Sequence, residues 1–415
     1  MSKTRWILRQ LTRKIWFRST LFAVLAVVTA LVAIAVKPFI PVSISGLIGT
    51  DAVDKILGIL ASSMLAVTTF SLNIMVSAYN TASTSVTPRA TKLLLEDRTT
   101  QNVLATFIGS FLFSLVGIVA LGMGAYGSQG RAVLFFVTLV VIVMIVITLL
   151  RWIQHLSQFG RMAETSQRVE DATAAALASW LKDNCLGCSP WHSKRYETTG
   201  ILPLVPDRVG YLQHIDLLKL SEFAEKNDQS LYLSVRPGAF LHLSSPILYT
   251  RKVLSERQQQ ELRAAFTVAE QRSFDQDPRF GLCVLSEIAS RALSPAVNDP
   301  GTAIDIIGRA VRLFCSPSEA GEGSTPYPRL FLRPANISDL FDDIFTPIAR
   351  DGASLVEVHI RLQKAFLALA QYKPAVYAED ARRHSLQALD RARKALVLRD
   401  DILRLEELAD DIVKC

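Results

Sequence analysis

Three groups of side chains in this sequence have types and spacings that could do chemistry. The first is Arg291-Ala-Leu-Ser294-Pro-Ala-Val-Asn298-Asp299-Pro300-Gly-Thr302, where a guanidinium, hydroxyls, an amide and a carboxylate precede an apolar helical pattern. An Asp-Pro pair is a helix start in its own right, because the carboxylate accepts from free N–H groups and proline fits the first helical position. The same helix N-terminus, with Arg291, Ser294, Asn298, Asp299 and Thr302 together, could instead hold a small anion or polar ligand. The second group, Cys185-Leu-Gly-Cys188 with His192, has the spacing of half a zinc site. No second pair follows at a suitable distance, so no metal is expected there. The third is Ser62, Thr69, Asn73, Ser77 and Asn80, which fall on one narrow stripe of an otherwise apolar segment at about 100° per residue. Such a stripe either bonds across a helix interface or lines a wetted path.

Other patterns exclude chemistry. Gly122-Met-Gly124-Ala-Tyr-Gly127 matches the dinucleotide fingerprint in letters alone, since it ends an apolar span instead of joining a strand to a helix. There is no Walker loop, nucleophile elbow or paired His/Glu metal helix, and nothing links a histidine to a nucleophile and an orienting acid. The expectation is a protein that is not an enzyme and needs no cofactor.

These groups sit on a chain of 415 residues, 50% of them hydrophobic, with the apolar excess concentrated before Trp152. Four stretches, about 19–37, 55–80, 103–124 and 131–152, are long and apolar enough to span a bilayer. Basic residues crowd the segment before the first span (Lys3, Arg5, Arg9, Arg13, Lys14, Arg18) and the loop after the second (Arg89, Lys92, Arg98). The positive-inside rule then puts both termini in the cytoplasm of a multi-pass protein of the bacterial inner membrane. Residues 1–18 read as an amphipathic segment on the inner leaflet, with Ile7, Leu8, Leu11 and Ile15 on one face and Arg5, Arg9 and Arg13 on another. The net charge of +7 comes largely from that segment, so the bilayer, and not nucleic acid, is the expected anionic partner. No span carries a charge at its centre, which argues against a proton-coupled pump or a voltage sensor. The five cysteines lack secreted-domain spacing and read as free thiols in a reducing compartment.

Beyond the spans, Met162 to Lys182 reads as a helix, Gly210 to Ile215 as a strand, and Asp216 to Lys226 as a helix capped by Asp216. Ser230 to Val235 and Ala239 to Leu243 read as strands joined by Pro237-Gly238, with the flavour of half a small biotinyl/lipoyl-like barrel. From Ser255 onward the pattern is helical, with one long loop between Ser316 and Pro328. The expected fold is mainly α: residues 19–155 form a four-helix transmembrane domain, 156–254 a helix and mixed α+β segment, and 255–415 a helical cytoplasmic region.

Two blocks carry a resemblance. The first runs Ser83-Thr-Ser-Val-Thr-Pro88-Arg89, then Leu94-Leu-Glu-Asp97-Arg98 and Gln101, then Thr106-Phe-Ile-Gly109-Ser-Phe111. The second is Asp275-Gln-Asp277-Pro278-Arg-Phe280-Gly281 with Ile288-Ala-Ser-Arg291 through Asn298-Asp299-Pro300-Gly-Thr302-Ala303. Together, in this order, they resemble the bacterial predicted-membrane-protein family designated domain of unknown function 2254. Ala296 stands where that family usually has glycine. The resemblance implies architecture, with Pro88, Arg89, Asp97 and Arg98 as motif residues of the interfacial loop, and brings no activity. Two functions are expected as alternatives. One is a homo-oligomeric channel-like or transport protein whose second span lines the path and whose cytoplasmic domain regulates it. The other is a membrane-anchored sensor or scaffold whose cytoplasmic domain binds a small ligand or a protein partner.

Overall fold

The computed structural model describes residues 50–95, 97–124, 127–156, 162–191, 201–316 and 325–414, together with Phe17, Thr20, Leu21, Ala23, Val24, Val27, Val28 and Val32. The chain divides into two compact units, one within Ile7–Thr165 and the other comprising Ser166–Cys415.

The first unit consists of α1 (Thr50–Ser85), the short α2 (Thr91–Leu95), α3 (Arg98–Gly122) and α4 (Gly127–Leu156). Within them Ala52–Thr81, Thr99–Gly122 and Gly130–Leu156 are long and apolar enough to cross a membrane. The described residues thus hold three such helices where four were expected. The expected first span, 19–37, and the amphipathic segment, 1–18, lie almost entirely outside the described residues.

Burial ranks the three helices. In its most apolar stretch α3 is 61% buried, against 22% for α1 and 17% for α4, so α3 is the middle helix. One apolar cluster joins Val53 and Leu57 of α1 to Phe113 and Ala120 of α3 and Leu134 of α4. A second joins Met64 to Val103, Phe107, Ile145 and Trp152. The early residues of one helix thus meet the late residues of the next, so α3 runs antiparallel to both neighbours. Gly117 allows the closest approach, since a Cβ there would come 3.0 Å from Leu57 Cδ1. The residues of α1 that are buried, Val53, Leu57, Ala61, Met64, Thr68 and Ser71, recur every three or four positions and form one face.

The larger unit opens within α5 (Met162–Lys182), from Ser166 onward, then β1 (Cys188–Pro190), β2 (Leu202–Leu204), β3 (Gly210–Ile215), α6 (Leu217–Lys226), β4 (Leu231–Leu233), β5 (Phe240–Leu241), β6 (Leu248–Thr250), α7 (Glu256–Arg263) and β7 (Phe266–Ala269). It continues with α8 (Pro278–Ala292), α9 (Pro300–Phe314), β8 (Tyr327–Leu332), α10 (Ile337–Asp351), α11 (Val356–Tyr372), α12 (Pro374–Ala395) and α13 (Arg399–Val413). The fold is mainly helical with some strands, as the apolar periodicity indicates.

The strands build two sheets. One has five strands in the order β1-β8-β4-β6-β2, and the other is antiparallel in the order β5-β3-β7. In the larger sheet Leu231 and Leu233 pair with Leu330 and Leu332, and these leucines bury with α6 in one core. Tyr232, Phe331 and Tyr249 form the row on the opposite face.

Two elements depart from the helical expectation for residues 255–415. The stretch Ser255 to Arg272, expected as one helix, is α7 followed by β7. Ser255 and Gln258 close a capping box at the helix start, whereas Phe266-Thr-Val carries the aromatic and β-branched residues that suit a sheet. Strand β8, beyond the long loop, inserts between β1 and β4. Its sequence neighbours give no sign of that pairing, because both partners lie more than 90 residues earlier.

Candidate functional site

The polar stripe of α1 lies opposite the buried face. Ser62, Thr69, Asn73, Ser77 and Asn80 are all exposed in the single chain. The hydroxyls of Ser62 and Thr69 donate back to their own helix, to Gly58 O at 3.0 Å and Leu65 O at 3.0 Å. Such self-satisfied hydroxyls cost little against lipid. Asn73 is different, since its amide has no hydrogen-bond partner among the described residues. On the packed face, the enclosed hydroxyls of Ser71 and Ser110 also lack partners among the described residues.

The interfacial motif loop is built around two local devices. Thr87 Oγ1 accepts from Arg89 N at 3.1 Å and Thr91 Oγ1 donates to Pro88 O at 2.7 Å, which folds the turn and leaves Pro88 and Arg89 exposed. Asp97 then caps α3, accepting from Thr100 N at 2.7 Å and Thr100 Oγ1 at 2.6 Å. Arg98 begins that helix. The same Asp97 carboxylate lies 3.0 Å from Nε2 of His155, in the last turn of α4, and Trp152 stacks on that imidazole at 5.7 Å. Asp97 and Thr100 are buried. This carboxylate–imidazole clasp ties the start of α3 to the end of α4. Sequence reasoning named Asp97 but missed His155, and the signal was topological: two antiparallel spans joined by a short loop bring those two ends to one side.

In the Arg291–Thr302 turn the capping role is built in full. Asp299 accepts from Thr302 N at 3.1 Å and Thr302 Oγ1 at 2.6 Å, while Asp299 N donates to Ala292 O at 2.8 Å. The bonds from Thr302 hold the Asp299 carboxyl below its usual range. Its oxygens occupy the positions that a bound anion would take at this helix end. Ser294 Oγ donates to Arg291 O at 2.7 Å, and Arg291 and Asn298 are exposed. The left-handed residue of the turn is Asn298, at φ 50°, so Ala296 keeps an ordinary backbone where the family usually has glycine.

The block Asp275–Gly281 is a junction. Asp277 caps α8 through Phe280 N at 3.1 Å and receives two bonds from Arg272, at 2.8 and 3.0 Å. Gly238, at φ +97°, lies against this carboxylate, and a Cβ there would come 2.3 Å from Asp277 Oδ2. Arg279 bridges to Asp343 and Asp339 of α10, each at 2.7 Å. Gly281 abuts α5, where its missing Cβ would stand 1.9 Å from Thr173 Oγ1.

Cys185 and Cys188 flank a tight turn. Cys188 N donates to Cys185 O at 3.0 Å, and the central Leu186 and Gly187 are left-handed at φ 56° and 82°. Both thiols are buried, and burial pushes that of Cys188 up to about 12, with the neighbouring Cys185 adding to the shift. Among the described residues no group of three potential ligands gathers, and His192 lies outside them.

Over 267 residues the chain is 26% identical to uncharacterized protein MT1328 of Mycobacterium tuberculosis (strain CDC 1551 / Oshkosh), the match covering 61% of this chain and 50% of that one. It is 25% identical, with the same coverage, to uncharacterized protein Rv1290c of Mycobacterium tuberculosis (strain ATCC 25618 / H37Rv). The chain spans about half the length of these relatives. No solved structure matches it. The profile of the family described as "Predicted membrane protein (DUF2254)" matches residues 12–368, taking in the apolar helices, the interfacial loop and both motif blocks, and the chain belongs to that family.

Proposed function

We propose that the protein is a homo-oligomeric, channel-like membrane protein in which α1 of each copy turns its polar face toward a shared axis. The observation that carries this reading is the exposed Asn73 amide, unpartnered among the described residues of the protomer. An unpaired primary amide facing hydrocarbon costs several kcal/mol. A second copy or a file of water removes that cost, and the hydroxyls along the same face extend the wetted line. Burial of only 22% in the apolar stretch of α1 leaves the surface that such an assembly needs.

In this reading the protein is not an enzyme and lies in the bacterial inner membrane. The basic residues around Arg89 and Lys92 support a cytoplasmic side for the loop that carries them, both termini and the larger unit. The larger unit then regulates the path.

The test pairs assembly with conduction. Purified full-length protein in lipid nanodiscs should have the mass of an oligomer, and in liposomes it should pass small ions above the rate of empty vesicles. Asn73→Leu should lower that flux while leaving the protein folded. A monomer in nanodiscs, with flux equal to that of empty vesicles, would overturn the proposal.

A further inference from the structure

A cavity of about 440 Å3 opens in the larger unit between the Arg236–Ala239 turn, the start of α8 and the segment leading into α10. Three guanidinium groups line it, those of Arg236, Arg272 and Arg279. Two are already neutralised: Arg272 by Asp277, and Arg279 by Asp339 and Asp343. Arg236 has no ion pair among the described residues. Its Nη2 donates to the backbone carbonyls of Asn184 and Arg333, and its Nη1 is enclosed with no hydrogen-bond partner among the described residues.

The acidic groups that face Arg236 are Asp183, whose charge acts on it without forming an ion pair, and the thiols of Cys185 and Cys188, the first of which also hydrogen-bonds it. Burial raises both thiols, so they stay protonated and contribute no charge. A guanidinium held mainly by neutral carbonyls is an unfavourable burial, and an anion is the partner that relieves it.

A larger cavity of about 860 Å3 adjoins this one, sharing Trp180, Leu186, Gln276 and Ala335 as walls. Its lining includes Lys182 and Lys373, neither in an ion pair among the described residues, and the apolar surfaces of Trp180, Leu217 and Tyr377. The positive ends of α8 and α10 also open on the smaller cavity, although Asp277 and Asn336 cap them.

We infer that these joined cavities bind a small phosphorylated molecule, its phosphate on Arg236 and its apolar body in the larger space against Trp180. A phosphate suits the site because it offers several oxygens to a planar guanidinium and up to two negative charges to Arg236 and the nearby lysines. Each of the two cavities is by itself within the size range of pockets for small organic ligands. The inference does not depend on conduction, since binding is read without flux.

The experiment is equilibrium dialysis of the full-length protein in detergent against inorganic phosphate and phenyl phosphate, at constant ionic strength. Saturable binding of both is expected, with phenyl phosphate tighter and phosphate competing with it. Arg236→Gln should weaken binding about ten- to a hundredfold, the loss expected for one charge-assisted contact. Ala335→Glu, which puts a carboxylate on the shared wall at a half-exposed loop position, should weaken it comparably and decides the matter if the Arg236 variant does not fold. Absence of saturable binding by the wild type, or equal binding by the folded variants, would overturn the inference. Phenyl phosphate binding no tighter than phosphate would overturn the placement of the body in the larger cavity.

Discussion

Two buried imidazoles make the larger unit sensitive to acid by an amount that can be worked out. His359, in α11, is fully buried, and burial pushes it down to about 4, with Arg391 adding to the shift and the Ala349 carbonyl opposing it. His384, in α12, sits among Phe341, Phe345 and Phe366. It too is pushed down to about 4 by burial, then by Arg383, against the pull of Asp342 and Asp380. Both folded values lie below the ordinary 6.5. Between these limits the unfolded chain therefore binds more protons than the folded one, and stability is lost as pH falls. From pH 7 to pH 5 the loss is about 2 kcal/mol per imidazole and about 4 kcal/mol for the pair.

The assay is amide hydrogen exchange across α11 and α12 in the full-length protein, corrected for the intrinsic pH dependence of exchange. Protection there should fall by about a thousandfold between pH 7 and pH 5. His359→Gln and His384→Gln should each remove about half of that fall on the free-energy scale. If the double variant lost protection with pH as steeply as the wild type, the imidazoles would not be its source.

Other perturbations test the packing. Gly281→Ala should destabilise the larger unit by about 2–3 kcal/mol, because its Cβ would stand 1.9 Å from Thr173 Oγ1. Adding Thr173→Ala should restore part of that loss in chemical denaturation, and strictly additive effects would count against the contact. Asp97→Ala removes the cap of α3 and the partner of His155, so the protein should lose about 1–2 kcal/mol and become more open to proteolysis at the loop before Arg98. Unchanged digestion would contradict this. Glu170 receives bonds from both Arg309 and Arg312, and Arg309 is buried. Glu170→Ala should therefore cost about 3–5 kcal/mol, and a loss below 1 would show that the arginines find other partners. Cys188 should alkylate on the order of a thousandfold more slowly than a free thiol at neutral pH, given a thiol pushed up to about 12. Rapid labelling detected by mass spectrometry would refute it.

Much of the helical framework was legible because it rests on local rules. Asp299-Pro300 announced the start of α9, and the cap of α6 at Asp216 was readable for the same reason. Apolar runs located α1, α3 and α4. The stripe of α1 was equally plain, but its direction was not: a 3.6-residue period says which residues share a face and leaves open what the face meets. Packing supplies that answer by burying Val53 through Ser71 on the opposite side. Features that depend on distant partners stayed hidden. His155 gains its role from Asp97, 58 positions earlier, and Arg236 from groups that include carbonyls at Asn184 and Arg333. Strand β7 was masked by helix-forming neighbours, with no turn residue to break the run before Phe266.

The length of α1 carries a further consequence. Its apolar stretch, Ala52–Thr81, is 30 residues long, or about 45 Å at 1.5 Å per residue, against a hydrocarbon core of about 30 Å. Its midpoint falls between Ala66 and Val67. Upright, the helix places Asn73 about 10 Å from the midplane, inside the core, while Ser77 and Asn80, at about 16 and 20 Å, reach the headgroups. Tilting to absorb the mismatch draws those last two groups into hydrocarbon as well. Bilayer thickness and helix tilt together thus set how much of the polar face of α1 lies within hydrocarbon.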